Sequence, residues 1–268
     1  MKSRPVIAAA ILVALITSSC GSGNRSRQEN GAETPTGDNS MVSLDWNGIY
    51  TGIIPCADCE GIQTLIRLND DLSYIWKSRY LGKDETIFGT TGNFIWSDDG
   101  GTITLIDNIE DQSGPSWLVG ENILFMPDDD GNRITGELAE MYRLKKVIPA
   151  LDERTWLLTS AGGTEISDDD FTAGTPWIVF DSESNRISGF AGCNRLTGTY
   201  TPGDNNSLAL GPIATTKIAC NAMRGEQMFL GLLNNTTGYR LTTEWLILTD
   251  STGIELARFE ADFFSAVD

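Results

Sequence analysis

The chain has 268 residues with 37 acidic against 19 basic side chains, a formal net charge of −18, 28 glycines, five cysteines and no histidine. So acidic a surface repels nucleic acid, which is held by clustered Lys and Arg, and the lack of imidazole removes Ser-His and Cys-His nucleophilic pairs, His-containing zinc sites and imidazole acid–base chemistry. Carboxylate-pair and thiol chemistry stay open, but neither has a strong signature, and the chain reads as a non-enzyme.

Lys2 and Arg4 precede an unbroken apolar run from Val6 to Ile16. Roughly 20 apolar residues are needed to span a bilayer, so this shorter run reads as a secretory signal. Ser18 and Ser19, directly before Cys20, resemble the lipobox of bacterial lipoproteins, although Thr17 stands where an aliphatic residue is usual. That resemblance implies removal of residues 1–19 and acylation of Cys20, palmitate included. Two or more acyl chains anchor stably where one holds only marginally. The expected location is the cell envelope, anchored by lipid to the outer membrane and facing the periplasm. Residues 20–44 are polar and poor in aliphatics, so they read as a flexible linker with an end-to-end reach of about 25–30 Å.

From Trp46 onward strands are expected. Leu72, Tyr74, Trp76 and Tyr80 alternate with Ser73, Lys77 and Arg79, the pattern of a half-buried strand. Asp98-Asp99-Gly100-Gly101 and Asp128-Asp129-Asp130-Gly131 read as hairpin loops between β-rich runs. Helical periodicity is scarce, so an antiparallel barrel over 45–147 follows, because closure removes sheet edges. Asp128, Asp130, Gly131 and Glu137 fall on four positions of an EF-hand loop, but Met126 would hold the first ligand position, so a solvated tip is the better reading. Trp96, Trp117 and Trp177 are expected to fill cores.

Tyr50-Thr51-Gly52-Ile53-Ile54-Pro55-Cys56-Ala57-Asp58-Cys59-Glu60-Gly61-Ile62, then Tyr80-Leu81-Gly82-Lys83, Gly92-Asn93-Phe94-Ile95-Trp96 and Ile134-Thr135-Gly136-Glu137-Leu138-Ala139 resemble the N-terminal domain of the NlpE copper-resistance lipoproteins. The resemblance implies a small lipocalin-like barrel, a role in copper homeostasis and an envelope stress sensor as partner. Three chemistries are open to Cys56 and Cys59: two thiolates for Cu(I) as a cofactor, a redox pair, or a structural bridge. Asp58 and Glu60 beside them would raise the thiol pKa values, against an activated nucleophile. A lipocalin-like carrier of a small apolar ligand is the alternative, with Tyr74, Trp76 and Tyr80 lining its cavity.

A second unit is expected over 151–262. Strands are read at Thr155–Ser160, Trp177–Phe180, Trp245–Leu248 and Ile254–Phe259, with a hairpin through Ser184-Asn185. One helix is read over Ala222–Leu233, where Met223, Met228, Phe229, Leu232 and Leu233 recur near helical spacing, Asn221 could cap the start and Gly238 lies beyond the end. The overall fold class is therefore all-β, two small barrel-like domains, the second with one α-helix. Trp156-x-Leu158, Ser188-Gly189-Phe190-Ala191-Gly192-Cys193-Asn194, Gly198-Thr199-Tyr200 and Ile213-Ala214-Thr215-Thr216-Lys217-Ile218-Ala219-Cys220 resemble the META domain of HslJ-type heat-shock lipoproteins. Cys193 and Cys220 hold both cysteine positions of that likeness, which implies a structural disulfide. A link to heat and envelope stress is implied as well, with no catalytic residues.

Overall fold

In the computed structural model the described residues are 39–83, 85–107, 113–152, 154–167, 169–171, 173–220 and 223–265. Cys20, the signal segment and residues 20–38 of the expected linker lie outside them. The end of that linker is not loose. Asn39 caps a single helical turn, α1 (Ser40–Ser43), accepting from the Val42 N–H at 3.2 Å. Ser40 Oγ then donates to Val119 O at 2.6 Å, and Met41 N–H donates to Gly100 O at 3.0 Å.

Eight strands follow: β1 (Gly48–Ile54), β2 (Gly61–Leu68), β3 (Ser73–Leu81), β4 (Phe88–Trp96), β5 (Thr102–Asp107), β6 (Ser113–Gly120), β7 (Ile123–Phe125) and β8 (Arg143–Lys146). Each pairs antiparallel with the next, and β1 pairs with β8 through Tyr50↔Lys146 and Thr51↔Lys145, so the sheet closes as a barrel. Alternation decides what fills it. Tyr50, Ile66, Leu68, Tyr74, Phe94 and Trp117 point inward and are almost wholly buried, and Trp46, Trp76 and Trp96 pack against them. That packed interior speaks against the open cavity a carrier needs. Leu72 departs from the expected stripe, sitting in the β2–β3 turn with φ +65° and its side chain exposed.

The second barrel runs through β9 (Thr155–Ala161), β10 (Thr164–Glu165), β11 (Trp177–Asp181), β12 (Arg186–Phe190), β13 (Arg195–Pro202), β14 (Leu208–Leu210), β15 (Ala214–Thr215), α2 (Met223–Asn234), β16 (Gly238–Leu241), β17 (Trp245–Thr249) and β18 (Glu255–Asp262). The strand order is β14-β13-β12-β11-β9-β18-β17-β16, with β10 beside β9 and β15 beside β13. A Ser207↔Gly238 bridge and the 3.0 Å bond from Leu208 N–H to Thr237 O draw the ends together. On α2, Phe229 and Leu233, one turn apart, enter the core beside Phe259, while Met228 stays exposed, contrary to its expected place on the apolar stripe. Asn221 lies outside the described residues. Trp177 also departs from expectation. It pairs with Leu157 and Phe190 on the outer face of the sheet, and the core positions of β11 go to Ile178 and Phe180.

The outward residues of β1 to β3 are not all solvated. Ile49 and Leu65 are covered by Phe264, with Val147 and Phe263 beside them. Gln63 Nε2 donates to Phe263 O at 3.0 Å, Arg79 donates to Phe264 O and, at 2.8 Å, to Gln63 Oε1, and Arg67 pairs with Glu244. One barrel is thereby docked on the end of β18 of the other.

Candidate functional site

The β1–β2 hairpin carries the first cysteine pair at its tip. β1 ends at Ile54, and Pro55 cannot donate to a ladder, so pairing stops there. Gly61 restarts it with φ +156°, and a Cβ at that position would lie 2.6 Å from Ile53 Cγ2. Between them Cys56 and Cys59 form a disulfide with Cα atoms 5.4 Å apart. Asp58 is exposed at the apex, its Oδ1 3.5 Å from Cys56 Sγ and its Oδ2 2.6 Å from Lys83 Nζ on the β3–β4 turn. The hydrogen bond and charge of Lys83 hold the Asp58 carboxyl below the usual carboxylate range. The ligand atoms of Cys56, Asp58 and Cys59 all lie within 4.8 Å of one another. As a bridge this tip pins the hairpin. Opened by reduction, it would offer two soft sulfurs and one hard oxygen at the surface.

The second pair is built differently. Gly192, with φ +90°, lies against Phe171, where a Cβ would collide with the ring. It turns the chain into Cys193, which is buried and bridged to Cys220 with Cα atoms 6.1 Å apart. Asn194, 3% exposed, is the hub beside it. Its Nδ2 donates to both carboxylate oxygens of buried Glu226 at 3.1 and 3.0 Å and to Ile218 O at 3.1 Å. Its Oδ1 accepts from Thr216 Oγ1 and the Ile218 N–H, both at 2.7 Å. The two cysteine pairs thus sit in separate barrels, one at an exposed tip and one beside a buried polar network. Composition singled out neither Asn194 nor Glu226. The only signal was their presence in the G-C-N run and in the helix that follows.

Elsewhere, acidic clusters serve their own turns. Asp128 Oδ1 accepts from the Asp130 and Asn132 N–H groups at 3.1 and 2.7 Å, which shapes a tip and uses the carboxylate an EF-hand would need.

Residues 50–137 match the family model of the NlpE N-terminal domain, and residues 149–263 match that of the META domain. The chain joins an NlpE N-terminal domain to a META domain. Lipoprotein NlpE of Escherichia coli K12 is 26% identical over 137 residues, which are 51% of this chain and 55% of that protein. The chain therefore spans about half the length of that curated relative. Among solved structures, a candidate lipoprotein of Shewanella oneidensis is 55% identical, covering 41% of this chain and 97% of its own, with a TM-score of 0.37. The Escherichia coli NlpE structure, described as a Cpx pathway activator, is 18% identical over 63% of this chain and 95% of its own, with a TM-score of 0.29.

Proposed function

We infer that the chain is a non-enzymatic outer-membrane lipoprotein, anchored through Cys20, that serves copper homeostasis and the envelope stress response. Its NlpE-type barrel is the sensing part and its META domain a stabilising or interacting part. The observation that carries this reading is the exposed Cys56–Asp58–Cys59 tip, whose ligand atoms already lie within 4.8 Å. Reduced, the two thiolates suit Cu(I), a soft ion, and Asp58 would balance part of its charge. Oxidised, the same tip is a closed bridge, so metal binding and reduction converge on one change of state. Kinship with an NlpE lipoprotein supports an envelope stress sensor as the partner.

Titrating Cu(I) into the reduced full chain tests the metal role. Tight one-to-one binding is expected, and it should vanish when Cys56→Ser and Cys59→Ser are combined. Equal affinity in both proteins would remove these cysteines as ligands and leave the pair a structural bridge.

A further inference from the structure

The segment from Ala214 to Cys220 crosses the META surface and has no part in the metal reading. The Thr216 N–H donates to Arg195 O at 3.1 Å, and the Arg195 N–H donates to Thr216 Oγ1 at 3.2 Å. Residues 195 and 216 therefore face each other as a bonded pair, with Leu196 opposite Thr215 and Thr197 opposite Ala214. Bonded and non-bonded pairs alternate along an antiparallel ladder, so Thr215 turns its own N–H and C=O away from β13 towards the open edge.

The same parity continues beyond the strand. Both backbone groups of Ile218 are taken from behind by Asn194. Two residues later Cys220 is bonded to Cys193. Thr216, Ile218 and Cys220 are thus fastened inward. The backbone groups of Lys217 and Ala219 make no hydrogen bond among the described residues. Residues 216–219 are all exposed, Ile218 to 60%. Lys217 carries the one charge between Ala214 and Cys220, and it is positive on a chain of net charge −18.

A segment that runs on from the two-residue strand β15 with outward backbone groups at every second residue, and with a basic side chain at its centre, has the form in which an endopeptidase cleft takes polypeptide as an added strand. A flexible substrate loses affinity to ordering, whereas this segment is held in shape before it meets a partner. Both sides of the Lys217–Ile218 peptide bond are also tied down, one by β15 and Thr216, the other by Asn194 and the disulfide. We propose that residues 214–220 form an inhibitory loop for a serine endopeptidase that cleaves after lysine or arginine, with Lys217 filling the enzyme's acid-floored specificity pocket. Standard-size interfaces of this kind bury about 800 Å² per partner and centre on one such anchor.

Trypsin is the probe. The full chain, with disulfides intact, is titrated against trypsin cleaving a small lysyl reporter, and the chain is weighed afterwards by mass spectrometry. Saturable one-to-one inhibition is expected with the chain intact. Lys217→Arg should inhibit as well, and Lys217→Ala should be at least about 100-fold weaker. Lys217 is exposed, so these variants keep the fold, which circular dichroism checks. Absence of inhibition, undiminished inhibition by Lys217→Ala, or rapid cleavage between Lys217 and Ile218 would each overturn the proposal.

Discussion

Asn194 shows how one side chain can set a surface loop and a buried charge together. Its amide nitrogen, with two hydrogens shared among the carboxylate oxygens of Glu226, which is 7% exposed, and the carbonyl of Ile218, serves the buried charge, and its carbonyl organises Thr216 and Ile218. A buried carboxylate deprived of its donors costs more than the bonds themselves were worth. Asn194→Ala is therefore expected to lower stability by about 2–3 kcal/mol in urea unfolding, and Asn194→Asp to do worse at neutral pH by facing one carboxylate with another. A loss near zero would mean that solvent takes over the amide's bonds. Asp58 lies at the opposite limit, its side chain 73% exposed and its link to Lys83 screened. Its folded pKa is depressed, so the Lys83 link adds stability above the unfolded carboxylate value and loses it as pH falls through the folded one. NMR titration should show Asp58 protonating below the usual carboxylate range, with the Lys83 signals moving in step. Lys83→Ala should return Asp58 to that range, and if it does not, another group holds the carboxyl down. Sequence alone showed Asn194 inside a motif but not its task, because its partners lie 22 to 32 residues downstream and meet it only through folding.

At the level of elements the two disulfides differ in what they stabilise. In the chain-entropy account the Cys193–Cys220 bridge, closing about 28 residues, contributes about 3.6 kcal/mol, and the Cys56–Cys59 bridge, closing about four, contributes about 2 kcal/mol. Replacing Cys193 and Cys220 by Ser should accordingly lower the unfolding midpoint of the chain well beyond the lowering caused by replacing Cys56 and Cys59 by Ser. The reverse order would show that the tip strains or supports its barrel by more than loop closure. Alternation made most strands legible, β3 and β11 among them, because burial follows a period of two. It could not say which phase faces inward on β11, where Trp177 and Val179 look as apolar as Ile178 and Phe180. Barrel position settled that, placing Trp177 outside. The turn α1 was illegible for another reason. Four residues of Ser, Met and Val carry no period, and they are held by the cap at Asn39, the bond from Ser40 to Val119 and the bonds that Met41 makes to Gly100 and Trp46.

The whole molecule turns on a contact that no local pattern announces. Arg79 and Lys77 occupy the polar phase of β3, which the alternation assigns to solvent, yet the Arg79 side chain is only 17% exposed and reaches the carbonyl of Phe264, some 185 positions away. Around it Phe264 covers Ile49 and Leu65, and Arg67 meets Glu244. The contact joins the barrel that carries the Cys56–Cys59 tip to the end of β18, and β2 runs from the tip directly into it, with Gln63 four residues beyond Cys59. If this apolar and hydrogen-bonded patch couples the barrels, the chain should unfold as one unit. Truncating Phe264, 6% exposed, removes the apolar cover, and truncating Arg79 leaves the Phe264 carbonyl without its donor. Combining Phe264→Ala with Arg79→Ala should split the calorimetric transition in two, one per barrel, while each barrel keeps its own core and its circular dichroism signal. Heteronuclear relaxation should show the two halves tumbling with different correlation times in that variant and with one in the parent. A single transition and a single correlation time in the double variant would mean that the barrels are held together by the connection through Val147 and Ile148 and not by the docked face.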